Sequence, residues 1–116
     1  MKKKISKSNT ITLVIILVIA IISTLALTKP ESVTKEELIK CIGKNSVLYT
    51  QIGCTHCKTQ ENLFGENYKF LTVIDCFYDR EICSQKGIPG TPSWIINDKL
   101  YLGVQSIDKL KELTKC

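Results

Sequence analysis

At 116 residues the chain has room for one small domain, and its formal charge of +5 invites a nucleic-acid or anionic-lipid partner. Lys2, Lys3, Lys4, Lys7 and Lys29 fall in residues 1–30 without a single acid, and from Glu31 onward 11 basic residues meet 11 acidic ones. A neutral remainder excludes nucleic-acid binding by bulk charge, and six cysteines agree with an oxidising compartment, where small domains gain staples from disulfides.

Residues 1–10 form a basic N-terminus and residues 11–28 a membrane anchor. The apolar heart of that anchor, Ile11 to Leu27, is interrupted only by Thr12, Ser23 and Thr24. Read as a helix, it approaches the roughly 20 residues that cross a bilayer. A cleaved signal peptide is the alternative, but its apolar region runs about 7–15 residues before a small-x-small site. Thr24-Leu25-Ala26 fits such a site poorly, so an uncleaved anchor is preferred. The lysines ahead of the span outweigh Lys29 after it, which leaves the N-terminus cytoplasmic and the remainder extracytoplasmic. No cysteine lies in or just after the span, so a lipoprotein anchor is not indicated. Residues 29–33, with Pro30, read as a linker to a domain over residues 34–116 that shows no repeat or low-complexity tract.

Thr34-Lys35-Glu36-Glu37 has the form of a capping box, predicting a helix that carries Leu38, Ile39 and Ile42 inward and ends at Gly43. A strand over Val47–Gln51 follows, then the turn Cys54-Thr55-His56-Cys57 and a helix to about Phe64, with Leu63 and Phe64 inward and Lys58 and Glu61 wet. Phe70–Asp75 is β-branched and apolar enough for a buried parallel strand. A short helix over Arg80–Lys86 stops at Gly87. Ser93–Ile96 and Leu100–Gly103 flank a hairpin turn at Asn97-Asp98-Lys99, which lacks the glycine a tight turn prefers. Ser106 caps a last helix carrying Ile107, Leu110 and Leu113. The order α-β-α-β-α-β-β-α is an α/β layout with mixed parallel and antiparallel pairing.

Cys54 and Cys57 carry the chemistry. A strand that feeds a helix through this turn places the first sulfur at a helix N-terminus, where unpaired N–H groups and the dipole favour a thiolate. Cys54 is then the nucleophile, and Cys57, one helical turn in, resolves the mixed disulfide. The rival is half of a zinc ribbon, which needs a second Cys-x-x-Cys. Cys76 and Cys83 are seven apart, so redox chemistry is preferred and no metal is expected. A static Cys54–Cys57 bridge remains the bland alternative. Cys76 ends a strand and Cys83 lies in the next helix, which makes a bridge between them sterically reasonable.

The element order, with Cys-x-x-Cys after the first strand and Thr91-Pro92 before the third, resembles the thioredoxin fold: a mixed central sheet flanked by helices. More closely, several motifs resemble the thioredoxin-like domain fused to vitamin K epoxide reductase homologues, over about Leu38 to Thr114. They are Ile42-Gly43, Tyr49, Cys54-Thr55-His56-Cys57, Leu63-Phe64-Gly65, Cys76, Cys83, Gly87-Ile88-Pro89-Gly90-Thr91-Pro92-Ser93-Trp94, Ile96-Asn97 and Gly103-Val104-Gln105-Ser106. The resemblance implies that Pro92 is cis beside the active-site disulfide and that Thr91 presents backbone groups to an extended peptide. It puts His56 where disulfide-forming relatives carry a histidine, whose polarised imidazole stabilises the Cys54 thiolate; a solvent-facing histidine without a role is the alternative. It suggests that Cys76 and Cys83 are oxidised, as an electron relay or as a structural staple. Trp94 is expected to pack under the sheet.

Three departures stand out. One anchor replaces the four-helix quinone-reducing domain, so the redox partner would be a separate protein. Cys41 and Cys116 lie outside the pattern, which makes their mutual pairing attractive while connectivity stays open. Leu48 occupies the position, six before Cys54, where thioredoxins carry a buried acid, and this weakens a reductase reading. The function implied is a membrane-anchored, extracytoplasmic thiol–disulfide oxidoreductase. Electrons would pass from thiols of exported proteins through Cys54–Cys57 to a separate vitamin K epoxide reductase-like or similar quinone-linked membrane oxidase. No cofactor is expected beyond the redox-active disulfide, the quinone entering only through that partner. A reductase or isomerase on the same scaffold, or a non-catalytic redox adaptor, are the alternatives.

Overall fold

The computed structural model describes residues 7–27 and 33–116, in two units that divide between Ser32 and Val33. The first unit contains one helix, α1 (Lys7–Leu27), long and apolar enough to cross a membrane. Two of its polar side chains bond within the helix: Thr12 donates to the Ser8 carbonyl at 2.9 Å and Thr24 to the Ile21 carbonyl at 2.8 Å. The described part of the helix already includes Lys7, ahead of the apolar run at Ile11. Lys2, Lys3, Lys4, Thr28, Lys29 and Pro30 lie outside the described residues.

The second unit runs α2 (Lys35–Asn45), β1 (Ser46–Thr50), α3 (Thr55–Phe64), a 3-10 segment (Gly65–Phe70), β2 (Val73–Asp75), α4 (Arg80–Gln85), β3 (Ser93–Ile96), β4 (Lys99–Leu102) and α5 (Ile107–Thr114). α2 starts in the capping box: the Thr34 hydroxyl accepts the Glu37 N–H at 3.2 Å, and the Glu37 carboxylate accepts the Thr34 N–H at 2.9 Å. The helix does not stop at Gly43 but runs through it. Gly43 is buried where α2 crosses the backbone ahead of β2, and a Cβ there would collide with the Phe70 carbonyl oxygen and come within 3.1 Å of the Leu71 Cα. This glycine permits a close approach; it is not a C-cap.

The sheet order is β2-β1-β3-β4. β1 pairs in parallel with β2, placing Leu48 opposite Val73 and Thr50 opposite Asp75. It pairs antiparallel with β3, placing Leu48 opposite Trp94 and Tyr49 opposite Ser93. β2 is shorter and less buried than the sequence implies, a half-buried edge strand of three residues, because the chain from Gly65 to Phe70 winds into 3-10 turns instead. β3 and β4 are joined by a two-residue turn in which Asn97 (φ 50°) and Asp98 (φ 61°) both take the positive φ of a type I′ hairpin without glycine. These residue types tolerate the left-handed region better than most.

Ile39 and Ile42 from α2, Leu48 from β1, Phe64 from α3, Trp94 and Ile96 from β3 and Leu110 from α5 form the core. The Phe64 and Trp94 rings lie 6.1 Å apart at 44°. Leu63 does not point inward and is 42% exposed, because the buried face of α3 follows Cys57, Gln60 and Phe64 at three- and four-residue spacing. Ser106 caps α5, accepting the Lys109 N–H at 3.1 Å.

Candidate active site

Gly53, at φ 81°, turns the chain from β1 into α3 and delivers Cys54 as the N-cap of that helix. The Cys57 N–H donates to the Cys54 sulfur at 3.2 Å, and the Lys58 N–H to the Cys54 carbonyl at 3.2 Å. The sulfur therefore takes the place of an oxygen cap at the positive end of the helix, where a thiolate is favoured once the bond is reduced. In this structure the two sulfurs are joined, with Cα atoms 5.2 Å apart. Cys54 is half-buried and Cys57 is 6% exposed, so an incoming group meets Cys54 first.

Across from the disulfide, the Thr91–Pro92 bond is cis, and the Thr91 carbonyl oxygen lies 3.5 Å from the Cys54 sulfur. Pro92 is buried and Thr91 half-buried. A groove of about 530 Å³ runs past His56, Pro89, Thr91, Pro92, Leu102 and Val104. His56 is exposed and lines this groove. A second groove, of about 720 Å³, is lined by Cys54 and Cys57 together with Ile52, Glu61, Tyr68 and Asp75. Burial, followed by the negative charges of Glu61 and Asp75, pushes the Tyr68 phenol upward. Leu48 lies in the core, 1% exposed, so its position supplies no carboxylate to the disulfide.

The other cysteines form two further bridges. Cys76 and Cys83 are joined with Cα atoms 5.7 Å apart, and the Cys76 N–H donates to the Thr50 carbonyl at 2.8 Å, at the end of the strand that leads to Cys54. Cys41 and Cys116 are joined across 75 residues, tying α2 to the end of the chain after α5. Among the described residues no cysteine is free, and no group of three or more His, Cys, Asp and Glu side chains is placed to hold a metal ion.

Sequence reasoning overlooked Gln60. Its side chain is fully buried; Oε1 accepts the Trp94 Nε1–H at 3.0 Å and the Gln105 N–H at 2.7 Å, and Nε2 donates to the Gln105 carbonyl at 2.9 Å. The signal was present in the spacing. A glutamine three residues after Cys57 and four before Phe64 falls on the inward face of α3, where a polar side chain requires buried partners.

A parallel β-α-β unit joined to an antiparallel hairpin in one mixed sheet, with a Cys-x-x-Cys disulfide at the start of the helix after the central strand, defines the thioredoxin-like fold. No protein-family model matches the chain. Among known proteins, Thiol-disulfide oxidoreductase LTO1 of Arabidopsis thaliana is 32% identical over 94 residues, an alignment covering 73% of this chain and 24% of that protein. The chain thus spans about a quarter of that relative's length. Among solved structures, oxidised thioredoxin from Plasmodium falciparum aligns at a TM-score of 0.47 with 20% identity, over 72% of this chain and 91% of the other.

Proposed function

We propose that the chain is a thiol–disulfide oxidoreductase, held to a membrane by α1 with its second unit on the extracytoplasmic side, that introduces disulfides into exported proteins. The observation that carries this reading is the Cys54–Cys57 disulfide at the start of α3, its half-buried outer sulfur beside the Thr91 carbonyl. The Arabidopsis relative, a thiol-disulfide oxidoreductase by name, supports the same reaction class.

A substrate thiolate attacks the Cys54 sulfur, the Cys54–Cys57 bond breaks, and Cys57 leaves as a thiolate that takes up a proton. The second substrate thiolate then attacks the substrate sulfur of the mixed disulfide and releases Cys54 as a thiolate. The substrate is oxidised by two electrons and the cysteine pair is reduced. A separate membrane oxidase of the vitamin K epoxide reductase-like kind, or one similar, reoxidises the pair and passes the electrons to quinone. An extended substrate segment lies along the Thr91–Pro92 groove, with His56 at its edge stabilising the Cys54 thiolate. Cys76–Cys83 serves either as a relay toward the oxidase or as a staple.

The reduction potential of the Cys54–Cys57 pair tests the direction of flow. Equilibration of the full chain against glutathione, read by alkylation and mass, should give a value more oxidising than about −200 mV. A value near about −270 mV, where thioredoxin lies, would make the chain a reductase instead.

A further inference from the structure

Gln60 takes no part in thiol chemistry, yet its amide joins the helix bearing the disulfide to the far wall of the His56 groove. The connection is continuous. Gln60 lies one turn beyond Cys57 on α3 and closes a reciprocal pair of bonds with the backbone N–H and carbonyl of Gln105 at 2.7 and 2.9 Å. The Gln105 side chain in turn donates to the Leu102 carbonyl at 2.9 Å, and the Gly103 N–H donates to the Pro92 carbonyl at 2.8 Å. Leu102, Gly103 and Val104 line the groove with Thr91 and Pro92. Gln60 also holds the Trp94 indole, two residues after Pro92, so both margins of the groove hang from one side chain.

A packed apolar residue would fill this space without the desolvation that a buried carboxamide incurs. What an apolar residue cannot do is fix orientation. Two bonds to the backbone N–H and carbonyl of one residue set the angle of the β4–α5 connection as well as its distance from α3. We infer that Gln60 is a positioning residue for peptide substrates: it holds the Leu102–Val104 wall in place relative to Cys54, so that a segment lying along Thr91 and Pro92 presents its sulfur in line for exchange. The inference rests on the oxidoreductase reading proposed above and adds a determinant of substrate class to it. A small dithiol reaches the half-buried Cys54 without touching this wall, whereas an extended peptide depends on it. Small displacements of a bound reactant carry large rate penalties.

The test compares two reductants of the oxidised full-length chain in detergent micelles: dithiothreitol and an extended peptide carrying two cysteines. Each rate is followed by alkylation and mass. Gln60→Leu should lower the ratio of the peptide rate to the dithiothreitol rate by about tenfold, through a raised KM for the peptide. Gln105→Ala, which removes the side-chain links to the Leu102 and Gly103 carbonyls and leaves the backbone bonds to Gln60, should lower the ratio in the same direction by less. Should Gln60→Leu fail to fold, the Gln105→Ala ratio decides alone. An unchanged ratio in the folded variants, or an equal loss with both reductants, would overturn the inference. Exchange of the parent chain with dithiothreitol tests the oxidoreductase reading separately, and its absence would overturn both.

Discussion

Gly43 illustrates how a single residue sets the packing of a helix against the backbone ahead of β2. Its lack of a side chain lets α2 come against the backbone of Phe70 and Leu71, and the Thr72 hydroxyl donates to the Gly43 carbonyl at 2.7 Å across the same contact. Alanine at a helical glycine ordinarily gains about 1 kcal/mol of helix propensity. Here the added methyl meets backbone that has no rotamer with which to yield. Gly43→Ala should therefore destabilise the second unit by roughly 1–3 kcal/mol, read as a lower urea midpoint. A stabilised variant would show that α2 can move away from Phe70 freely. The sequence suggested a helix stop at this glycine because glycine marks C-caps as often as close approaches, and only the long-range packing of α2 separates the two. The inward position of Gln60 is legible in its spacing, but its partners are not: Trp94 and Gln105 are 34 and 45 residues away.

At the scale of elements, local chemistry was the better guide. The capping box of α2, the Ser106 cap of α5 and the Asn97-Asp98 turn depend on residues within a few positions of one another, and each was readable from spacing. β2 was overextended because an apolar, β-branched run does not reveal that Tyr68 and Phe70 reach the core from a 3-10 segment. The capping box also makes a pH prediction. The backbone N–H of Thr34, then its hydroxyl, hold the exposed Glu37 carboxyl below its usual range. A carboxyl with a depressed folded pKa contributes stability above its unfolded value of about 4.3, and that contribution is lost as pH falls through the folded pKa. Glu37→Gln should melt below the parent at pH 7, the gap closing in acid; Thr34→Ala should cost about 1 kcal/mol at pH 7. A gap for Glu37→Gln that is independent of pH would mean that its charge is not what the cap uses.

At the scale of the whole chain, three disulfides join Cys41 to Cys116, Cys54 to Cys57 and Cys76 to Cys83. Connectivity was open in the sequence because it depends on where α2 and α5 meet, not on spacing. The Cys41–Cys116 bridge closes a span of 75 residues, and Cys76–Cys83 one of seven. In the chain-entropy account their removal costs about 4 and about 2 kcal/mol respectively. Serine replacement of each pair, followed by urea unfolding, should reproduce that order; a larger loss at Cys76–Cys83 would show that the loop carries native-state packing beyond its closure. If Cys76–Cys83 is also a relay, its serine variant should keep exchange with small disulfides and lose turnover only with the membrane oxidase.

The central assignment is Cys54 as the attacked sulfur and Cys57 as its partner, which leaves when substrate is oxidised and resolves the mixed disulfide in the reverse direction. Trapping tests it most directly. Cys57→Ser and Cys54→Ser chains are expressed in membranes, alkylated, and run on non-reducing gels with the mixed species identified by mass. Cys57→Ser should accumulate mixed disulfides on Cys54 with exported proteins, formed when the free Cys54 thiolate attacks a substrate disulfide and left standing because the intramolecular attack by Cys57 is gone, and Cys54→Ser should trap none. Equal trapping by both variants, or trapping by Cys54→Ser alone, would contradict the assignment.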